Sequence, residues 1–120
     1  MAAHGVGRLG VASGGVVGIF TVNYALDVDN LIVRVRRGGE LDRGSRHGAT
    51  VALQIDQADS LSHEGWSVLV RGQCEQVGDP SELVRLAQLP LVPWADEERS
   101  LYLRIPMETV TGVQIHHRMR

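Results

Sequence analysis

Apolar and polar residues alternate with period two, in short runs, along nearly the whole 120-residue chain. Each such run buries one face of a strand and wets the other. Glycine, proline, Asp and Asn punctuate the runs. Many short strands separated by turn signals suit an all-β barrel. Val6 to Ala12 reads as a first strand, and Ser13-Gly14-Gly15 as a turn. Val16 to Tyr24 follows, with Val16, Gly18, Phe20, Val22 and Tyr24 on one face and Val17, Ile19, Thr21 and Asn23 on the other. Apolar residues on both faces indicate a central strand covered on each side. Asp27-Val28-Asp29-Asn30 reads as a hairpin turn, since Asp and Asn tolerate turn geometries.

The next run, Leu31 to Leu41, is the most chemical. Leu31, Val33 and Val35 alternate with Ile32, Arg34 and Arg36, and Arg37-Gly38-Gly39 then turns the chain. Glycines let backbone amides approach a ligand, and arginines add charge and forked donors. Fixed amides beside a cation make a phosphate site. The same residues also suit a hairpin end that only solvates the sheet.

Farther on, Leu41 to Gly48 suits a short helix, Val51 to Asp56 a strand, Gln57 to Gly65 a polar loop and Trp66 to Val77 one long strand. Gly72 marks a bulge or a close backbone approach in that strand. Asp79-Pro80-Ser81-Glu82 is a helix start, with Asp79 as cap, Pro80 in the first turn and Glu82 able to reach back. Leu83, Leu86, Ala87 and Leu89 give that helix an apolar face, and Pro90 and Pro93 stop it. Trp94 to Arg99 reads as a polar loop, and Leu101 to Ile105 and Val110 to His116 as closing strands.

Composition narrows the functions. Length sets a single domain over residues 1–120. A net charge of −2 makes no case for nucleic acid or an anionic membrane. All twelve basic residues are arginine, which excludes a lysine Schiff base and a P-loop. The single cysteine, Cys74, forms no intramolecular disulfide and fits a reducing compartment. No apolar run reaches transmembrane length, and the expectation is a cytoplasmic protein. His116 and His117, adjacent on a strand, point to opposite faces, so no metal site is expected.

The ordered set Gly7-Arg8-Leu9, Val22-Asn23-Tyr24-Ala25-Leu26-Asp27, Arg34 with Gly38, Gly39 and Leu41, Val51-Ala52, Asp56, Gly65 to Gly72, Pro93-Trp94 and Val110-Thr111-Gly112 resembles the pyridoxamine 5′-phosphate oxidase-like flavoproteins, and within them a small actinobacterial branch. The resemblance implies a six-stranded antiparallel split barrel of Greek-key type with one or two short helices. It implies a homodimer with FMN in clefts between subunits, where a small-molecule substrate stacks on the flavin. The ring then lies along Phe20, Thr21, Val22 and Asn23. The phosphate lies near Arg34, Val35, Arg36, Arg37, Gly39, Glu40 and Leu41, with Arg34 and Arg36 or Arg37 carrying it. Trp66 and Trp94 of the partner complete the site. Redox chemistry resides in the flavin, and no catalytic side chain is assigned. Alternatives are a deazaflavin in the same cleft, or a non-enzymatic dimer that has lost flavin.

The chain also departs from that family. Val35 stands where relatives carry Thr, and Glu40 where they carry a phosphate-facing lysine; Thr21 replaces a proline and Gln54 a Glu. A carboxylate ~5 Å from a phosphate, at an effective dielectric of ~20, costs about 3 kcal/mol, about a hundredfold in affinity.

Overall fold

A computed structural model describes residues 3–13, 15–46, 48–59, 64–91 and 100–116. The strands are β1 (His4–Ser13), β2 (Val16–Asp27), β3 (Asn30–Arg36), β4 (Thr50–Asp59), β5 (Glu64–Gln73), β6 (Glu75–Gln76), β7 (Ser100–Pro106) and β8 (Thr109–His116). Two short helices, α1 (Glu40–Gly44) and α2 (Pro80–Leu86), complete the fold. All strands join one antiparallel sheet in the order β6-β7-β3-β2-β1-β4-β5-β8.

There are eight strands where six were expected, and the reason is local. A single residue, Cys74, separates β5 from β6, yet β5 pairs with β4 and β8 while β6 pairs with β7. Likewise only Met107 and Glu108 separate β7, which pairs with β3, from β8, which pairs with β5. Two long runs therefore bend and change partners midway, so the expected single strand from Trp66 to Val77 is two. The bends bring opposite ends of the sheet together and curl it into the split barrel. Of Gln57 to Gly65, expected as a loop, residues 57–59 instead lengthen β4 and residues 64–65 lengthen β5, the two strands pairing from Asp59↔Glu64 onward, while residues 60–63 lie outside the described residues.

Where the two runs cross, their backbones touch. A Cβ built on Gly72 would lie 2.0 Å from the Pro106 carbonyl oxygen, so only glycine fits. The carbonyl is main chain on a paired strand and cannot swing aside.

The interior is filled by the inward faces of the strands: Leu9 and Val11, Val22 and Tyr24, Leu31, Val33 and Val35, Leu53, Val70 and Leu103 are all buried. Cys74 is buried among them, and burial, with a smaller contribution from Glu75, pushes its thiol up to about 12, which makes it inert. A second cluster, Ala25, Ile32, Leu86 and Leu91, lies on the outer face of β2 and β3, beneath α2. This is the second cover expected for β2, but it reaches only one end. Val17 and Ile19 remain 70% and 71% exposed.

α2 begins as expected: the Asp79 carboxylate accepts from the Ser81 N–H at 3.2 Å, with Pro80 next. Glu82 does not reach back. It accepts instead from Arg85 at 2.6 Å, and Arg85 donates two further bonds to the buried Asp27 at 2.6 and 2.8 Å. These bonds hold the Asp27 carboxyl below the usual carboxylate range and tie α2 to the end of β2. At the β2–β3 turn it is Val28, not Asp or Asn, that takes the left-handed conformation, φ 55°. That is a strained choice for a β-branched residue.

Gly72→Ala should lose about 3 kcal/mol of stability, the upper range for overpacking, in urea unfolding. Gly10→Ala, whose Cβ would meet nothing nearer than 3.7 Å, should change stability little. Equal midpoints for the two variants would refute the contact.

Candidate functional site

The sheet opens between β2 and β3. Their pairing runs from Asp27↔Asn30 to Tyr24↔Val33 and stops. Beyond it, residues 16–23 of β2 pair with β1, and Arg34, Val35 and Arg36 pair with Tyr102, Leu101 and Ser100 of β7. The two strands thus diverge, each held by its outer neighbour. In an edge strand, alternate N–H and C=O groups point away from the single partner, so Phe20 to Asn23 present backbone donors and acceptors to the wedge. Strong hydrogen-bonding groups in such a position seek a partner.

α1 stands beside β1 and β3 and is fixed by Asp42. This carboxylate is buried and accepts from the Gly38 N–H at 2.6 Å, the Gln76 side-chain amide at 2.7 Å and the Arg46 guanidinium at 3.3 Å. The Gly38 bond, then Arg46 and Gln76, hold its carboxyl below the usual range. The expected cradle of glycine amides is therefore taken by the protein itself: Gly38 donates to Asp42, and the Gly39 N–H donates to the Arg36 carbonyl at 3.2 Å. Gly38 adopts φ 81°, and Gly39 is the N-cap of α1.

The expected site residues divide between two cavities and the core. Phe20 and Glu40 meet in a pocket of about 210 Å³, lined also by Val11, Val16, Gly18 and Arg43. The Phe20 ring lies over Gly18, where an added Cβ would approach it to 2.7 Å. Arg43 donates to the Gly38 carbonyl at 3.3 Å, and among the described residues Glu40 has no ion pair. Arg34 and Arg37 line a different, wider cleft of about 610 Å³ with Tyr102. The structure therefore does not bring Arg34 to the Phe20–Glu40 pocket, because Arg34 leaves β3 on the face opposite Val35.

The side chains of Val22 and Val35 are buried in the core, and partly buried Leu41 packs against it. Thr21 is exposed and Asn23 half-buried on the outer face of β2, while Arg36 and Arg37 are exposed. Trp66 is half-buried and packs on the main core. Trp94 lies outside the described residues. Sequence reading missed the role of Asp42; its one signal is the Arg46 four residues on. It also missed Arg43 as a pocket residue, one helical turn from Glu40.

A family model for pyridoxamine 5′-phosphate oxidase matches residues 1–114. Over 113 residues the chain is 30% identical to an uncharacterised protein of Mycobacterium tuberculosis, covering 91% of this chain and 74% of that one. Among solved structures, the FAD binding protein from Mycobacterium smegmatis superposes with a TM-score of 0.82 at 24% identity, over 94% of this chain and 87% of that one. A FAD-binding protein from Mesorhizobium loti gives 0.74 at 24% identity, over 92% and 86%. Both share the fold. Among the described residues, no helix is long and apolar enough to cross a membrane.

Because the folded pKa values of Asp42 and Asp27 lie below their unfolded ones, their stabilisation is complete above the ordinary carboxylate range, near ~4, and is lost as pH falls through the folded values. Asp42→Ala should cost about 3 kcal/mol at pH 7, the scale of hydrogen bonds to a charged group. It should also flatten the acid limb of a stability–pH profile measured by urea unfolding.

Proposed function

Because the chain belongs to the pyridoxamine 5′-phosphate oxidase family, we propose that it binds a flavin, FMN, in the wedge between β2 and β3 and acts as an oxidoreductase on a small molecule. The observation that carries this reading is the bare backbone edge of Phe20 to Asn23. A flavin ring bears carbonyl and imide groups along one rim, which match a strand's unpaired N–H and C=O groups. Asn23 adds a side-chain amide that both donates and accepts. Phe20, Val16 and Val11 supply an apolar floor. When bound, the flavin supplies the hydride or electron transfer; the chain's residues hold and orient it. Related folds include the two FAD-binding proteins.

Charge at the α1 end of the wedge is mixed. Arg43 attracts a phosphate there and Glu40 repels it. Val35, buried in the core, gives no hydroxyl. Glu40 thus favours a second reading, a family member that has lost its flavin. The visible absorption spectrum of purified protein, before and after incubation with FMN, separates the two: flavin bands support the first, and a protein that stays colourless supports the second. Glu40→Lys should tighten FMN binding about tenfold, the Coulomb gain after solvent screening, and the gain should fade at high salt. Unchanged titration curves would place Glu40 outside the site.

The active form on this reading is a homodimer. Val6 is 58% exposed and lies on the same outer face as Val17 and Ile19, which flank the open wedge. A second copy covers this strip and supplies the remaining wall of the cleft. Sedimentation equilibrium should give a dimer that Ile19→Asp dissociates; a wild-type monomer at all concentrations would sink the assignment.

A further inference from the structure

We propose that the cleft between β3, β7 and the start of α2 is a second ligand site, holding a small organic anion with an apolar body. Arg34 and Arg37 both line it, and among the described residues its lining contains no carboxylate. Its electrostatics therefore differ from those of the Phe20–Glu40 pocket, where one acid faces one arginine. Other arginines of the fold are neutralised: Arg8 by Asp56, Arg46 by Asp42, Arg85 by Asp27 and Glu82, and Arg104 by Glu75. Among the described residues Arg34 has no ion pair, and its buried Nε has no hydrogen-bond partner, while its guanidinium carbon sits 5.6 Å from the centre of the Tyr102 ring.

Stacking on Tyr102 fixes the plane of the guanidinium, but leaves a buried cationic N–H without an acceptor, a state that native structures rarely keep. An anionic oxygen in the cleft that Arg34 lines meets the outer N–H groups of the guanidinium, in the forked geometry arginine prefers, and balances a charge that the buried Nε shares with no acceptor. Arg37, exposed at the rim, adds a second positive charge. Val77, Leu83 and Leu101 provide an apolar wall for the rest of the molecule. The volume, about 610 Å³, lies within the roughly 300–1,000 Å³ usual for small-molecule sites. The site uses the face of β3 opposite Val35 and is separate from the flavin assignment.

Calorimetric titration of the purified protein with benzoate and with inorganic phosphate, each with and without added FMN, tests this. The expected result is saturable binding of at least one probe, unaffected by FMN. Arg34→Gln should weaken it about tenfold or more, as loss of a charge-assisted bond does. Arg37→Gln, at an exposed position that folding does not depend on, should weaken it several-fold. Absence of saturable binding by both probes overturns the proposal, and so does full affinity in both variants. Displacement of the probe by FMN also overturns it, since the cleft would then be part of the flavin site. A protein that binds no flavin but still binds the probe supports the proposal while the flavin reading fails.

Discussion

The contact between Gly72 and the Pro106 carbonyl is the constraint on which the rest of the architecture depends. It lets β5 and β7, far apart in the order of the sheet, touch backbone to backbone. Each strand then bends and continues as a neighbour of the other, so the sheet closes on itself without a conventional edge-to-edge seam. Closure commits β7 to β3 along the whole of Asn30 to Arg36. β3 follows β7 away from β2, and β2 stays with β1. The wedge that carries the proposed chemistry is thus the geometric remainder of how the barrel closes, not a separate device built into a loop.

Asp42 plays a complementary part on a smaller scale. It converts a glycine-rich turn, which in isolation would sample many conformations, into a fixed connection between β3, α1 and β6. Its acceptors are spent on Gly38, Gln76 and Arg46. The backbone donors that a glycine turn normally offers to a ligand therefore serve the fold. On the proposed reading, recognition at this end of the molecule is left to side chains, whose charges are readily altered by single substitutions. Glu40 and Arg43 line one cavity, and Arg34 and Arg37 the other.

Much of this was legible in the sequence, and the limits have physical causes. The strands were legible because period-two alternation depends on local burial alone. The Asp79 cap and the special place of Gly72 were legible because cap chemistry and an isolated strand glycine carry local signatures. The break at Cys74 was not, since alternation continues across it and only the change of partner reveals it. Alternation put Arg34 and Val35 on opposite faces. It did not say that α2 and β6 flank the arginine face while the core takes the valine. Asp42 read as an ordinary helix residue, because its partner Gln76 lies thirty-four positions away. The Asp27 to Asn30 turn was legible from its Asp and Asn residues, but not that Val28 takes its left-handed position, because the hairpin's register decides which residue occupies it.

The bent runs also have a temporal consequence. β3 leaves β2 at Val33 and has β7 as its only partner from Arg34 to Arg36 among the described strands, and β7 begins more than sixty residues later in the chain. Joining them closes a long loop, which costs entropy before any contact rewards it, and topologies rich in such distant pairings fold slowly. Until β7 arrives, the arginine end of β3 is an unpaired edge. On a ribosome, it waits for most of the chain to be made, and the clustered positive charge of Arg34, Arg36 and Arg37 repels the matching edge of another nascent copy during that wait.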